Sequence, residues 1–493
     1  MSEIRVTYSG LISLIVTVVS LFTSLGFSII ITRSLSQSEF GIWGVLGSIM
    51  VYGLMLDSIV GYWSTRESAR NENSQKTAIS FNQVFSVFGM VIFFISAISI
   101  GILEEIDFGT LLLILFLVPI RYLQKVINAI NLGWKPQNSS YGIIISEFSK
   151  IILGIIFIYF LQMGLVGLIV TIIAAYSVNI IIQMILAKQK IKNPINFDYL
   201  KKWIKGIWIP MYARLPSIIH ESDKVLVMIM MDSVIVISYF AAAMIVASIV
   251  SSSTTISKVA YGKLLGDNNV KFLKDTISLH FLIAIPFVAT SIVFSKVGMI
   301  ILNPVYEAAY IIVIVLALRS FVQSIRTAFG TFILGVETVD KYQNKTKDFL
   351  DSSLFKLPTI DLIQTTTYVT ILFLVLYLFG ESMDYIDIVY SWAIILLIVT
   401  IPTTIIILVW AKKKVHYELD VKRILKFLVI GVFVFGLTYL LIPEITEKDK
   451  PVFNLIVDLL PLVIISIGGY FGFTILVDKK TRELTKLIKN IIK

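Results

Sequence analysis

The sequence predicts an all-α polytopic membrane protein of about fourteen transmembrane helices, arranged as two six-helix lobes plus two C-terminal helices. Three observations carry this expectation. Of 493 residues, 57% are hydrophobic and only 15% charged, with a mean hydropathy of +0.88, whereas a water-soluble domain carries about 25% charged residues. The apolar residues gather in runs of about 20, the length a helix needs to cross the hydrocarbon core. Lysine and arginine are spread very unevenly over the connections between those runs, as orientation in a bilayer requires.

In chain order the runs are 8–32, 40–57, 79–103, 110–132, 141–161, 164–187, 207–231, 233–256, 276–295, 308–335, 359–379, 386–410, 425–442 and 453–477. Ile and Val are abundant in them, but the runs are too long for strands, so helix is expected. With both termini in the cytoplasm, the inside connections hold 31 basic residues, counting Lys426 at the edge of the run 425–442, and the outside ones only Arg33, Lys296, Lys448 and Lys450. The outside loops are acidic instead, with Glu104, Glu105 and Asp107 in one and Glu381, Asp384 and Asp387 in another. The expected location is therefore the cytoplasmic membrane, and the net charge of +10 is a topology signal rather than a nucleic-acid footprint.

Several chemistries are excluded or disfavoured. There is no cysteine, so there are no disulfides or thiolate metal sites. His220, His280 and His416 are scattered without metal-ligand spacing, and no metal, cofactor or catalytic residue is expected. The stretch from Val336 to Pro358 holds Glu337, Asp340, Asp348 and Asp351 among lysines, which reads as a solvated connector. The sequons at Asn138 and Asn344 fall on the expected cytoplasmic side and read as chance matches. Met1 leads directly into an apolar run without a small-residue cleavage site, so no removed signal peptide is expected. The tail from Lys479 to Lys493 carries an apolar stripe of Leu484, Leu487, Ile488 and Ile491 and reads as solvated or interfacial.

Apart from Lys426 at the edge of its run, seven basic residues remain inside the runs: Arg121, Lys125, Lys150, Arg214, Lys224, Arg319 and Arg326. A charge at the bilayer centre costs about 3 kcal/mol even on the most lenient scale, so such residues face a bundle interior or a watery chamber. Arg121 and Lys125 are four apart, and Arg319, Gln323 and Arg326 fall at i, i+4 and i+7, so each set shares a helix face. Acids are fewer, Asp57, Glu147, Glu221, Asp223 and Asp458 among them. Glu147 and Glu221 each precede a lysine by three residues, a pairing distance on a helix. Asp57, at the end of its run, reads as interfacial. Snorkelling or ion pairing would also account for Lys125 and Lys224. The arginines point to a cationic chamber for an anionic cargo, because a guanidinium grips phosphate oxygens bidentately and keeps its charge.

The expected lobes are 1–195 and 200–415, joined by a basic amphipathic stretch around Tyr199, Lys201, Lys202, Trp203 and Lys205, with 416–493 adding two helices and the tail. Near the start of the second run stand Glu39, Phe40, Gly41, Ile42 and Trp43; in the seventh stand Asp223 and Lys224; before the tenth, Tyr306, Ala309 and Tyr310; after it, Gly335, Glu337 and Lys341. In these motifs, and over its whole length, the chain resembles the polysaccharide (O-antigen type) flippases of the multidrug, oligosaccharidyl-lipid and polysaccharide exporter superfamily. It departs from their pattern at Ser238, where a glycine is usual, and at Phe240, where a tyrosine is usual.

The resemblance implies translocation of a polyprenyl-diphosphate-linked oligosaccharide by alternating access. The anionic lipid-linked oligosaccharide, membrane lipids and polysaccharide-assembly enzymes are the expected partners. Arg121, Lys125, Lys150, Arg214, Arg319, Gln323 and Arg326 would bind the cargo, and Glu147, Glu221 or Asp223 would couple an ion. Trp43, Trp63, Tyr122 and Tyr212 are candidates to stack on sugars. A cell-wall-precursor flippase would use the same cationic chamber. A cation-coupled multidrug exporter of the superfamily fits less well, since the first run has no acid and the interior is positive.

Overall fold

The computed structural model describes residues 2–104, 106–257, 260, 264, 272–337, 339, 346–442, 451–483 and 485. Everything regular among these residues is helical. The helices used below are α1 (Ser2–Ser34), α2 (Gln37–Gly53), α3 (Asp57–Ala69), α4 (Gln75–Leu103), α5 (Phe108–Leu115), α6 (Leu117–Trp134), α7 (Pro136–Gly154), α8 (Gly164–Ile191), α9 (Phe197–Lys205), α10 (Trp208–His220), α11 (Ser222–Met231), α12 (Ile235–Ala247), α13 (Leu273–Val293), α14 (Ser295–Leu302), α15 (Tyr310–Gly335), α16 (Ser353–Phe379), α17 (Tyr385–Val415), α18 (Val421–Leu441) and α19 (Val452–Val477).

Among the described residues, eleven helical stretches are long and apolar enough to cross a membrane, or twelve if the bent pair α2–α3 counts as one span. The protein is a multi-pass membrane protein, but the expected fourteen spans are not all found. Two of the expected runs, the seventh and the first, are not among these eleven stretches. The seventh, 207–231, is divided at Glu221 into α10 and α11, neither long enough alone. The first, 8–32, lies within the single helix α1, Ser2–Ser34. The second run is also altered: α2 and α3 bend by 64° at the break after Gly53. The connector read as 336–358 is shorter than expected, because α16 begins at Ser353 and takes Pro358 into its first turns. Lys341, Asn344, Glu105, Asp340, Lys448, Lys450 and the stripe Leu484, Leu487, Ile488 and Ile491 lie outside the described residues.

Local chemistry sets the helix ends. Ser36 and Glu39 form a reciprocal capping box at α2, and Asp107 and Asp420 cap α5 and α18 by accepting backbone N–H groups. Pro136 opens α7, where its missing N–H is not needed.

The chain divides into two compact units, Met1–Ala241 with Leu354–Ile388 and Ala242–Ser353 with Val389–Lys493. In the first, Val60, Ala78, Val126, Ile127, Ile130 and Trp203 form a buried cluster that fastens the short amphipathic α9. Trp203 donates its indole N–H to the fully buried Glu67 carboxylate at 3.1 Å, and Lys202 reaches the same oxygen at 3.0 Å. Helices α6, α7 and α8 are joined by buried amides. Asn138 donates to Asn131, Asn131 to Gln183, Gln183 to Asn179, and Asn179 to the Gly142 carbonyl. Such side chains tie helices together where lipid offers no competing partner. Asn138, the residue of the first sequon, is thus buried in a helix junction. In the second unit, Leu282, Ile285, Phe427, Val434, Phe435 and Tyr470 pack α13, α18 and α19 together. Large apolar side chains such as Phe88, Ile95, Tyr377, Leu440 and Ile465 stand exposed, as a lipid-facing surface requires.

Candidate functional site

The first unit gathers three of the expected cations. Arg121 and Lys125 lie one turn apart on α6, and Arg214 on α10 is within electrostatic reach of Lys125, as is Arg121. Arg121 sits 4.4 Å over the ring of Tyr176 and donates to Gln124 at 3.3 Å. The buried Nε of Arg214 finds no hydrogen-bond acceptor. Among the described residues, the carboxylate answering this group is Asp57, whose Oδ2 lies 2.6 Å from Lys125 Nζ. Asp57 is 7% exposed, so its carboxylate faces protein. It is the first residue of α3, placed there by the bend that follows Gly53. The Tyr122 hydroxyl donates to the Gly53 carbonyl at 3.0 Å, at the bend itself. Tyr122 is fully buried, so it is not available to stack on a sugar. Tyr212 is stacked on Phe355 at 4.7 Å and bonded to Thr359 at 2.7 Å.

The remaining intramembrane lysines are paired. Lys150 lies 2.5 Å from Glu147 on α7, and Glu147 also accepts from Ser24 of α1. Lys224 lies 2.8 Å from Glu221 and donates to Ser48 of α2 at 3.0 Å. Both pairs follow the three-residue spacing seen in the sequence. Lys150 therefore stands in an ion pair on another helix rather than with Arg121 and Lys125.

Asp223 is 1% exposed and well supplied with donors. Its Oδ2 accepts from the Tyr368 hydroxyl at 2.7 Å and lies 3.7 Å from His220 Nδ1, while Oδ1 accepts from the Lys224 backbone N–H at 2.7 Å. Nothing local in the sequence connects Asp223 with Tyr368, 145 residues away.

In the second unit, Arg319 and Arg326 share α15 with Gln323 and act on each other electrostatically. Arg326 is buried, and Gln323 Oε1 is a buried oxygen without a hydrogen-bond partner. Ser324, on the same helix, lies 3.3 Å from His280 Nε2 of α13.

The sequence motifs prove to be joints. Glu39 Oε2 accepts from Ser36 N–H, while its Oε1 accepts from the Leu165 N–H at 3.0 Å, so one carboxylate serves the starts of both α2 and α8. Gly164, with φ of +54°, brings the chain so close that a Cβ there would stand 2.2 Å from Glu39 Oε1. Gly41 meets the Val234 carbonyl closely enough that a Cβ would lie 2.0 Å from it. Tyr306 and Ala309 are buried at the turn into α15. Glu337 lies 2.6 Å from Lys414 Nζ and accepts from the Ser353 N–H at 2.9 Å. Burial works to raise the Glu337 pKa, but Lys414 and Ser353 outweigh it and hold the carboxyl down at about 2.

No family model matches the chain, and no curated protein matches it. Solved structures do. An inward-facing multidrug resistance MATE family transporter of the MOP superfamily aligns with a TM-score of 0.61 at 14% identity, covering 83% of this chain and 98% of that one. A MATE protein in its straight conformation aligns with a TM-score of 0.56 at 14% identity, over 84% and 96%. A MOP superfamily transporter from Pyrococcus furiosus, described as having a binding pocket of reverse polarity that suggests a different function, aligns with a TM-score of 0.55 at 14% identity, over 84% and 95%. The fold is that of the MATE transporters of the MOP superfamily.

Proposed function

We propose that the chain is a flippase that carries a polyprenyl-diphosphate-linked oligosaccharide across the cytoplasmic membrane by alternating access. It would do so without a catalytic step, and with both termini in the cytoplasm. The observation that carries the reading is the excess of Arg121, Lys125 and Arg214 over the single carboxylate of Asp57 within an apolar bundle. A cluster left positive in low dielectric favours an anionic ligand, and guanidinium groups favour phosphate oxygens. Arg319, Gln323 and Arg326 give the second unit donors of its own for an anionic cargo. Lys150, being paired with Glu147, would act only through that pair. Glu147, Glu221 and Asp223 are the carboxylates available for ion coupling. The fourteen-crossing topology belongs to this reading, and requires that α1, the bent pair α2–α3 and the divided α10–α11 each cross.

The test is lipid flipping in proteoliposomes, and complementation of a surface-polysaccharide defect, with membrane abundance measured alongside. Alanine at Arg121, Lys125 and Arg214 together should abolish transport; undiminished transport would end the anionic-cargo reading. Genes for polysaccharide-assembly enzymes beside this one would support it, and cell-wall genes would favour a cell-wall-precursor lipid handled by the same chemistry. Single cysteines at Asp384 and Lys413 should label from opposite faces.

A second reading, a multidrug exporter, is favoured by the MATE proteins whose fold this chain shares. It predicts efflux of organic cations, which the positive cluster opposes. Cation efflux that survives the triple alanine substitution would establish it.

A further inference from the structure

Asp57 has no role in that reading, yet it is the carboxylate in contact with the cationic group. Its carboxylate contacts Lys125 at 2.6 Å, with Arg121 and Arg214 in electrostatic reach of the same ammonium. The bend of 64° between α2 and α3 is what brings it there, and Tyr122 pins that bend through the Gly53 carbonyl. Lys125 keeps 29% of its side chain exposed and Asp57 only 8%, so the lysine is the more accessible member of the pair to an incoming anion. The Arg214 Nε, buried and without an acceptor, is a donor that this single carboxylate leaves unserved. A diphosphate, with more oxygens and more charge than a carboxylate, could serve all three cations.

We infer that Asp57 is a built-in competitor, a tethered anion that holds the phosphate-binding group in the absence of cargo and must yield Lys125 when cargo binds. The inference rests on the anionic-cargo reading above and adds to it a residue that sets affinity and selectivity. A tethered carboxylate neutralises part of the cluster, so weak or singly charged anions are turned away and a diphosphate still displaces it. It also reduces the uncompensated cations in the apolar bundle from three to two between transport cycles.

The experiment uses the full-length protein in lipid nanodiscs, with farnesyl diphosphate and inorganic pyrophosphate as probes and the thermal transition as a check on folding. Asp57→Asn should tighten farnesyl diphosphate binding about tenfold, the effect of removing one competing charge at contact range. Lys125→Gln exposes the freed carboxylate to the ligand, and should weaken binding by about tenfold more than Arg214→Gln does. Adding Asp57→Asn to Lys125→Gln should recover about tenfold, and this double variant leaves no unpaired partner to compromise folding. Tightening with pyrophosphate as well would show that the site reads the diphosphate alone; tightening with farnesyl diphosphate only would show that the lipid takes part. Wild-type binding that Asp57→Asn does not tighten, or no recovery in the double variant, would overturn the competitor role and leave the cargo reading standing. Folded wild type and Asp57→Asn that both ignore the two probes would remove the cargo reading, and the inference with it.

Discussion

In the second unit Arg423 is buried, and each of its three guanidinium nitrogens has an acceptor: Nε meets Asp478 at 2.8 Å, Nη1 meets Asp275 at 3.4 Å and Nη2 meets Thr481 at 3.3 Å. Lys480 then shares Asp275 at 2.7 Å. In the first unit Arg121, Lys125 and Arg214 have, among the described residues, one carboxylate to answer them, and Arg214 keeps a buried donor unserved. Both groups contain arginine beside apolar helices, so residue type does not distinguish them; the count of acceptors does. A cation whose hydrogen bonds are complete is a tie between helices, here α13, α18 and the segment after α19. A cluster with more donors than acceptors keeps a free-energy gain available for a ligand that supplies them.

The comparison can be broken first at Arg423. Arg423→Ala leaves Asp478 and Thr481 buried without their partner, and should cost about 3–5 kcal/mol of stability. Thermal unfolding in detergent and membrane abundance are the measurements, and whatever protein survives should bind farnesyl diphosphate as wild type does. A stable, abundant variant with altered binding would reverse the assignment of the two clusters. The next effect should be at Arg214. Arg214→Ala should weaken diphosphate binding by about 2 kcal/mol, roughly thirtyfold, with little loss of stability. Arg214→Lys should fall between, because the ammonium lacks the planar fork. Isothermal titration and the thermal transition together decide it.

A smaller effect should sharpen the same contrast at the ion pair between Glu337 and Lys414. Its carboxyl is held down at about 2 from the ordinary 4.5, so its contribution is complete above the ordinary value and is lost as pH falls from there towards 2. Discounted for solvent screening at a partly exposed pair, this contribution is about 1 kcal/mol. Hydrogen exchange near Ser353 should quicken across that window in wild type, and Glu337→Gln should be fast at every pH. An unchanged rate would mean that the pair does not hold the start of α16.

Much of the fold is legible in the sequence because lipid imposes long apolar runs and an uneven distribution of lysine. What escapes is where a run breaks. The division at Glu221 and the bend after Gly53 depend on partners far away in sequence, Tyr368 and Ser48 near the first and Tyr122 at the second. Helical periodicity places Arg121 with Lys125, and Arg319 with Gln323 and Arg326, since that is a property of one helix. Arg214 joins Lys125 across 89 residues, and only tertiary packing brings them together. Asp57 was readable as an acid in an apolar run, but its pairing requires the bend, which no proline marks.

Glu39 and Gly41 have a consequence for how kinship should be read. The stretch from Glu39 to Trp43 is one of the features by which the chain resembles the polysaccharide flippases. In the structure its carboxylate splices two helix starts together and its glycine gives clearance to the Val234 carbonyl. Those are duties of carpentry, and a protein could keep them while exchanging one passenger for another. Shared ancestry would then be written in the joinery, and the nature of the passenger in the side chains around Asp57, which can diverge without disturbing a single joint.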